Sequence, residues 1–201
     1  MRIIGITGGV GAGKSFVLEY LERKYHAYVL YADQVANELK LPGRKCYEEL
    51  RELLGSDVLA PDDTIDRAKM AAKIFADKEL LMQVNAVVHP AVREYILEKI
   101  EEKRRQKDVK LFIIEAALLI EEHYDEICDE LWYIYADVPV RAKRLAGSRG
   151  YSRERIDSIM GRQLSDEEFR KHCQTVIDNS RQAEETYIQI DEKLGAYLCQ
   201  T

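Results

Sequence analysis

Paired cysteines, proline, excess positive charge and long apolar runs are all scarce in this chain, and each shortage removes a class of protein. The four cysteines, Cys46, Cys128, Cys173 and Cys199, are scattered with no CxxC spacing, so neither a zinc knuckle nor a redox pair is implied and free thiols of a reducing compartment are expected. Four prolines in 201 residues, beside 46% hydrophobic and 33% charged residues, leave no stretch that reads as a structureless linker. A net charge of −6 and a pI near 5.4 do not supply the basic face that backbone phosphates require, so no nucleic-acid partner is expected. The apolar stretches Ile113–Ile120 and Leu131–Ala136 are broken by Glu115 or ended by Asp137 and fall short of a bilayer, so no membrane partner is expected either. No apolar leader precedes the first strand pattern, and the expectation is a cytoplasmic protein.

What is present is an alternation of strand and helix patterns. Short apolar runs at Arg2–Thr7, Ala27–Tyr31, Lys110–Ile114, Leu131–Ala136 and Thr175–Ile177 read as strands of a parallel sheet covered on both faces, with a helix from Lys14 to Tyr25 after the first. About eighty residues separate the second and third runs. Helical patterns at Ile65–Phe75 and Glu79–Lys103, the latter carrying Pro90 and ending in the charged run Glu101–Arg105, make this a helical insertion, with the charged run as a solvated helix end. The segment 141–171 holds Arg141, Arg144, Arg149, Arg153, Arg155, Arg162 and Arg170; it reads as a phosphate-facing flap, several of whose arginines are surface residues.

Between the first strand and the first helix lies Gly8-Gly9-Val10-Gly11-Ala12-Gly13-Lys14-Ser15, the pattern G-x-x-x-x-G-K-[ST] in its required context. Glycines let successive backbone N–H groups turn inward as an anion nest, and the helix N-terminus adds partial positive charge. Lys14 then reaches the β- and γ-phosphates of ATP and the Ser15 hydroxyl meets Mg2+. A glycine-rich turn with an incidental lysine is the competing reading, and the pattern arises by chance in on the order of one chain in a hundred. No guanine-reading N-K-x-D segment is present, and 201 residues do not hold the modules of a large ATPase. The expectation is a small kinase with an α/β three-layer P-loop NTPase fold, built as one domain. Its nucleotide core is 1–40, 108–140 and 172–201, its helical acceptor-binding insertion 41–107 and its arginine-bearing lid 141–171.

Asp33 ends the second strand pattern, at the carboxyl edge where open α/β sheets bind ligands, and reads equally as a proton acceptor or as the N-cap of a helix Gln34–Leu39. His89-Pro90 reads as a kink with a packed or solvated imidazole. Glu115 ends the third strand and reads either as a carboxylate on the metal side, reached through water, or as an exposed edge residue.

The ordered set Ile6 to Ser15, Ala32-Asp33, Ile65-Asp66-Arg67, His89-Pro90, the arginine flap with Gln163, and Val176-Ile177-Asp178-Asn179-Ser180 resembles the dephospho-CoA kinase family over nearly the whole chain. That resemblance implies transfer of the ATP γ-phosphoryl group to the ribose 3′-hydroxyl of dephospho-CoA, giving coenzyme A. It implies nucleotide binding by Gly8, Gly9, Val10, Gly11, Ala12, Gly13, Lys14, Ser15, Phe16, Arg144, Arg149 and Asn179, the last near the adenine, with Mg2+ at Ser15. Lys14, Asp33 and Arg149 are implied in catalysis, Asp33 as general base, and Thr7, Asp33, Arg67 and His89 in holding the acceptor. Two positions depart from the family pattern: Phe16 stands where threonine is common, and Ala117 where proline is usual in the turn before Glu121. The rivals are a kinase for another small acceptor and a nucleotide-dependent regulator without transfer activity.

Overall fold

The computed structural model describes residues 1–198, and Cys199 lies outside the described residues. Five strands form one sheet: β1 (Arg2–Thr7), β2 (Tyr28–Tyr31), β3 (Leu111–Glu115), β4 (Glu130–Tyr135) and β5 (Thr175–Asp178), in the order β2-β3-β1-β4-β5. β1 runs parallel to β3, with Ile6 beside Glu115, and to β4, with Thr7 beside Tyr133; β4 runs parallel to β5. Every expected strand is present, β1 with the expected bounds and the other four with one or both ends moved by a single residue. Ile3, Ile4, Ile6, Phe112, Ile113, Ile114, Trp132 and Ile134 are almost wholly buried. Strands covered on both faces have no polar side to alternate with, which is why these runs are continuously apolar in sequence.

The chain divides into two compact units. One is Met1–Val29 with the chain from Lys107 on; the other is Leu30–Gln106. In the first, α1 (Lys14–Tyr25) follows β1, and α6 (Val138–Arg149), α7 (Arg153–Met160) and α8 (Asp166–His172) make up most of the arginine-rich segment before α9 (Ala183–Leu198). Serine hydroxyls start two of them: Ser152 accepts from the Arg155 N–H and Ser165 from the Glu168 N–H, the usual device for satisfying a free helix-end donor. α1 and α9 are joined along an aromatic seam. Phe16 stacks on Tyr187 at 5.1 Å and Tyr187 on Tyr20 at 3.9 Å, while the Asp191 carboxylate accepts from the hydroxyls of Tyr20 and Tyr25 and from Lys24.

The second unit is helical: α2 (Ala32–Leu39), α3 (Tyr47–Leu54), α4 (Arg67–Ala76) and α5 (Lys78–Gln106). α4 begins at Arg67 and not at Ile65 because the Asp66 carboxylate caps it, accepting from the N–H groups of Ala68 at 2.8 Å and Lys69 at 3.1 Å. α5 is one 29-residue helix carrying Pro90 inside it. Its charged end is solvated as expected, Arg104 pairing with Glu101 on the exposed surface. The apolar face of α2, Val35 and Leu39, is buried, and α2 packs on α5. The segment 30–40, placed with the nucleotide core by sequence, therefore clusters with the helical unit. No helix among the described residues is long and apolar enough to cross a membrane.

Candidate active site

The glycine-rich loop leaves β1 at Thr7, which is only 1% exposed, and enters α1 at Gly13. Gly13 takes φ 88°, and a Cβ there would collide with the Asn179 side-chain nitrogen; both the torsion and the crowding require glycine. α1 starts with no side-chain cap and no acidic residue in its first turn. Among the described residues nothing accepts from the backbone N–H groups of Gly11, Gly13, Lys14 or Ser15. Unclaimed donors at a helix N-terminus are what a phosphate group takes up.

Two side chains meet beside this loop, one from the start of α1 and one from the end of β3. Lys14 Nζ donates to the Gly8 carbonyl at 3.0 Å and lies 3.6 Å from Glu115 Oε1, with the two side chains 20% and 16% exposed. Glu115 is thus a partly buried partner of the loop lysine, and the exposed-edge reading does not hold. Ser15 is exposed and its hydroxyl engages no other described residue. Glu121 and Ala117 are exposed in the turn after β3.

From the opposite side the Ala12 carbonyl is held twice. Asn179 Nδ2 donates to it at 2.7 Å and Arg144 Nη1 at 3.2 Å, while Arg144 Nη2 donates to the Asn179 carbonyl at 2.8 Å. Asn179 is 4% exposed, its Oδ1 accepts from the Thr186 hydroxyl at 3.1 Å, and its N–H donates to the Tyr135 carbonyl. The amide expected near an adenine is therefore committed to the loop backbone. Val10 is gripped as well, its N–H donating to Gln163 Oε1 at 3.0 Å and its carbonyl accepting from Arg141 Nε at 2.9 Å. Composition marked Arg141 only as one of seven arginines; a guanidinium that turns inward has no signature in sequence.

The remaining expected residues lie apart from this loop frame or in the other unit. Arg149 ends α6, exposed, with its guanidinium 5.9 Å from the Tyr151 ring centroid and no bond to the loop; Gly150 after it takes φ 62°. Phe16 is spent on the aromatic seam. Arg153 and Arg170 form exposed pairs with Asp157 and Asp166 one helical turn away, as surface arginines do. Within the helical unit, Asp33 is exposed at the second position of α2, and the N-cap is Tyr31; Asp33 is not the cap that the local sequence allowed. Arg67 is exposed at the start of α4, and His89 is half-buried in α5. Lys40, which sequence reading passed over, sits at the end of α2; burial first and then Arg67 hold its pKa below the usual lysine value, while Asp33 pulls it up. Asp33, Lys40 and Arg67 therefore share one electrostatic neighbourhood.

A phosphate loop with unclaimed donors, a lysine and an inward carboxylate is a nucleotide site, and comparison with known proteins names the lineage. The dephospho-CoA kinase (CoaE) family model matches residues 2–185. This chain belongs to the dephospho-CoA kinase family. It is 36% identical to the dephospho-CoA kinase of Geobacter sulfurreducens over 96% of each chain. The crystal structure of TT1252 from Thermus thermophilus superposes with a TM-score of 0.81 at 30% identity, covering 99% of this chain and 97% of that one. The dephospho-CoA kinase from Campylobacter jejuni gives 0.71 at 22% identity, over 96% and 98% of the two chains, a likeness of fold. The parallel five-stranded P-loop fold is that of the dephospho-CoA kinases.

Proposed function

We infer that the chain transfers the γ-phosphoryl group of ATP to the ribose 3′-hydroxyl of dephospho-CoA, the final step of coenzyme A biosynthesis, in the cytoplasm. The observation that carries the reading is the row of unclaimed N–H groups at the start of α1, in a chain of this family. Phosphoryl transfer asks little covalent chemistry of the protein; positioning and charge compensation do most of the work.

On this reading the N–H groups of Gly11, Gly13, Lys14 and Ser15 bind the polyphosphate, and Lys14 moves from the Gly8 carbonyl and Glu115 to the transferring group. Arg144 and Asn179 keep the loop in shape by holding the Ala12 carbonyl. Hard oxygen donors suit Mg2+, and the free Ser15 hydroxyl with the Glu115 carboxylate supplies them; the ion would neutralise charge on the phosphates. Asp33 takes the proton of the attacking hydroxyl, and Arg67 and His89 hold the acceptor, with Lys40 beside Asp33 and Arg67 adding a positive charge for its phosphates. Arg149 closes over the donor from the α6 end, Gly150 providing the bend. Closure keeps water from the γ-phosphate, so hydrolysis does not compete with transfer.

Coupled measurement of ADP release with Mg-ATP and dephospho-CoA, adenylate or shikimate as acceptor tests the reading. Dephospho-CoA is expected to be turned over far faster than the other two. Preference for adenylate or shikimate overturns the acceptor assignment while leaving the phosphate loop in place.

A further inference from the structure

Arg141, in the first turn of α6, lies on the phosphate loop. Its Nε donates to the Val10 carbonyl at 2.9 Å and its Nη2 to Gln163 Oε1 at 2.8 Å, the same oxygen that accepts the Val10 N–H at 3.0 Å. A Cβ built on Gly9 would fall within 2.8 Å of three guanidinium atoms. The guanidinium therefore rests directly against Gly9, an approach that only glycine permits.

The surroundings of this charge are unusual. Arg141 is half-buried, and among the described residues no carboxylate pairs with it. Its acceptors are one carbonyl and one amide oxygen, and its Nη1 engages no described residue. The titratable groups acting on it are the phenols of Tyr133 and Tyr135, both with pKa raised and so neutral near pH 7, Tyr133 chiefly by burial and Tyr135 chiefly by its hydrogen bond to Asp137. Removing a cation from water without an ion partner is costly. A cheaper solution was sterically available, because a glutamate at 163 would accept the same two hydrogen bonds and cancel the charge. A neutral amide in that position keeps the guanidinium anchored and its charge unspent.

We propose that Arg141 is a further nucleotide-binding residue, whose charge, left uncompensated by the neutral anchor Gln163, is neutralised by the polyphosphate of the donor. This rests on the donor reading above and adds a residue outside the loop itself. The interaction is charge with charge at the loop's edge, so it grows with the number of phosphates and weakens in salt.

Titration calorimetry without acceptor tests it, using Mg-ATP, Mg-ADP and AMP. Gln163→Glu keeps both hydrogen bonds and pairs the guanidinium; it is expected to weaken Mg-ATP about tenfold or more, Mg-ADP less, and AMP hardly at all, with a melting temperature at or above the parent's. Arg141→Lys is expected to retain more Mg-ATP affinity than Arg141→Met. A folded Gln163→Glu protein that binds Mg-ATP as tightly as the parent overturns the proposal and reduces Arg141 to a structural tie. Should Gln163→Glu fail to fold, equal Mg-ATP affinities of Arg141→Lys and Arg141→Met overturn it on the same readout. A parent protein that binds no Mg-ATP overturns the donor reading and takes this inference with it, a result distinct from a variant that matches its parent.

Discussion

Replacing Asn179 by alanine separates a residue that shapes the loop from one that reads the adenine. The substitution removes the Nδ2 bond to the Ala12 carbonyl and the Oδ1 bond from Thr186, and leaves the backbone bonds to Tyr135 and Arg144 in place. Neither partner is orphaned, since Ala12 still accepts from Arg144 at 3.2 Å and Thr186 still reaches the Asp178 carbonyl at 3.4 Å. The loss is then about 1 kcal/mol for each hydrogen bond, about 2 kcal/mol together, equivalent to roughly 4–8 °C in Tm for a chain of this size. Thermal melts and steady-state kinetics with ATP and GTP provide the assay. A loosened loop lowers kcat for both nucleotides and leaves their ratio unchanged, because the amide is already taken up by the Ala12 carbonyl and the Thr186 hydroxyl. An unchanged Tm together with lost preference for ATP over GTP would refute the reasoning and return Asn179 to the adenine.

Four further outcomes are expected. Lys14→Ala retains the melting temperature within a degree or two, because its bond and ion pair are partly exposed, but loses about a hundredfold or more in kcat; activity within a few-fold of the parent removes Lys14 from catalysis. Asp33→Asn and Asp33→Ala both lose about a hundredfold in kcat if the carboxylate accepts the proton, whereas Asn retains much of the activity if Asp33 only aims the hydroxyl. Arg149→Ala lowers kcat more than it weakens ground-state ATP binding, and Arg149→Lys rescues only in part because an ammonium lacks the planar fork; a pure KM effect makes it a positioning residue. Burial pushes the thiols of Cys128 and Cys173 up to about 12, so at pH 8 iodoacetamide leaves both unmodified in the native protein and labels them after denaturation, as peptide mass mapping will show.

The sheet and its phosphate loop were legible because each rests on short-range chemistry: continuous apolar runs for buried strands, and a glycine pattern whose spacing fixes the turn. Strand ends shifted by one residue where sheet pairing took in a charged residue beyond the apolar run, buried at Glu130 and half-buried at Asp178 beside Tyr135. Asp66 shows a local signal that went unread, an aspartate before a helical pattern acting as the cap. Asp33 shows the converse, since its cap-like context was overruled when α2 began two residues earlier. The loop frame was not legible in that way. Gln163 is 153 positions from Val10, and Arg141 131 positions from it, and nothing in composition separates these inward groups from Arg153 or Arg170, which pair one turn away along their own helices.

The α1–α9 seam sets a minimum length on the enzyme. The family is recognisable from residues 2–185, yet Tyr187 and Asp191, on which Phe16, Tyr20, Lys24 and Tyr25 converge, lie past that limit. A chain cut after residue 185 would retain the whole range that the family model matches, and would leave the helix that begins at the phosphate loop with an uncovered aromatic face and two tyrosine hydroxyls deprived of their shared acceptor. What the family model matches and what holds the open face of the first helix are thus different stretches of chain, and a version shortened to the matched range would expose the aromatic side of α1 to solvent.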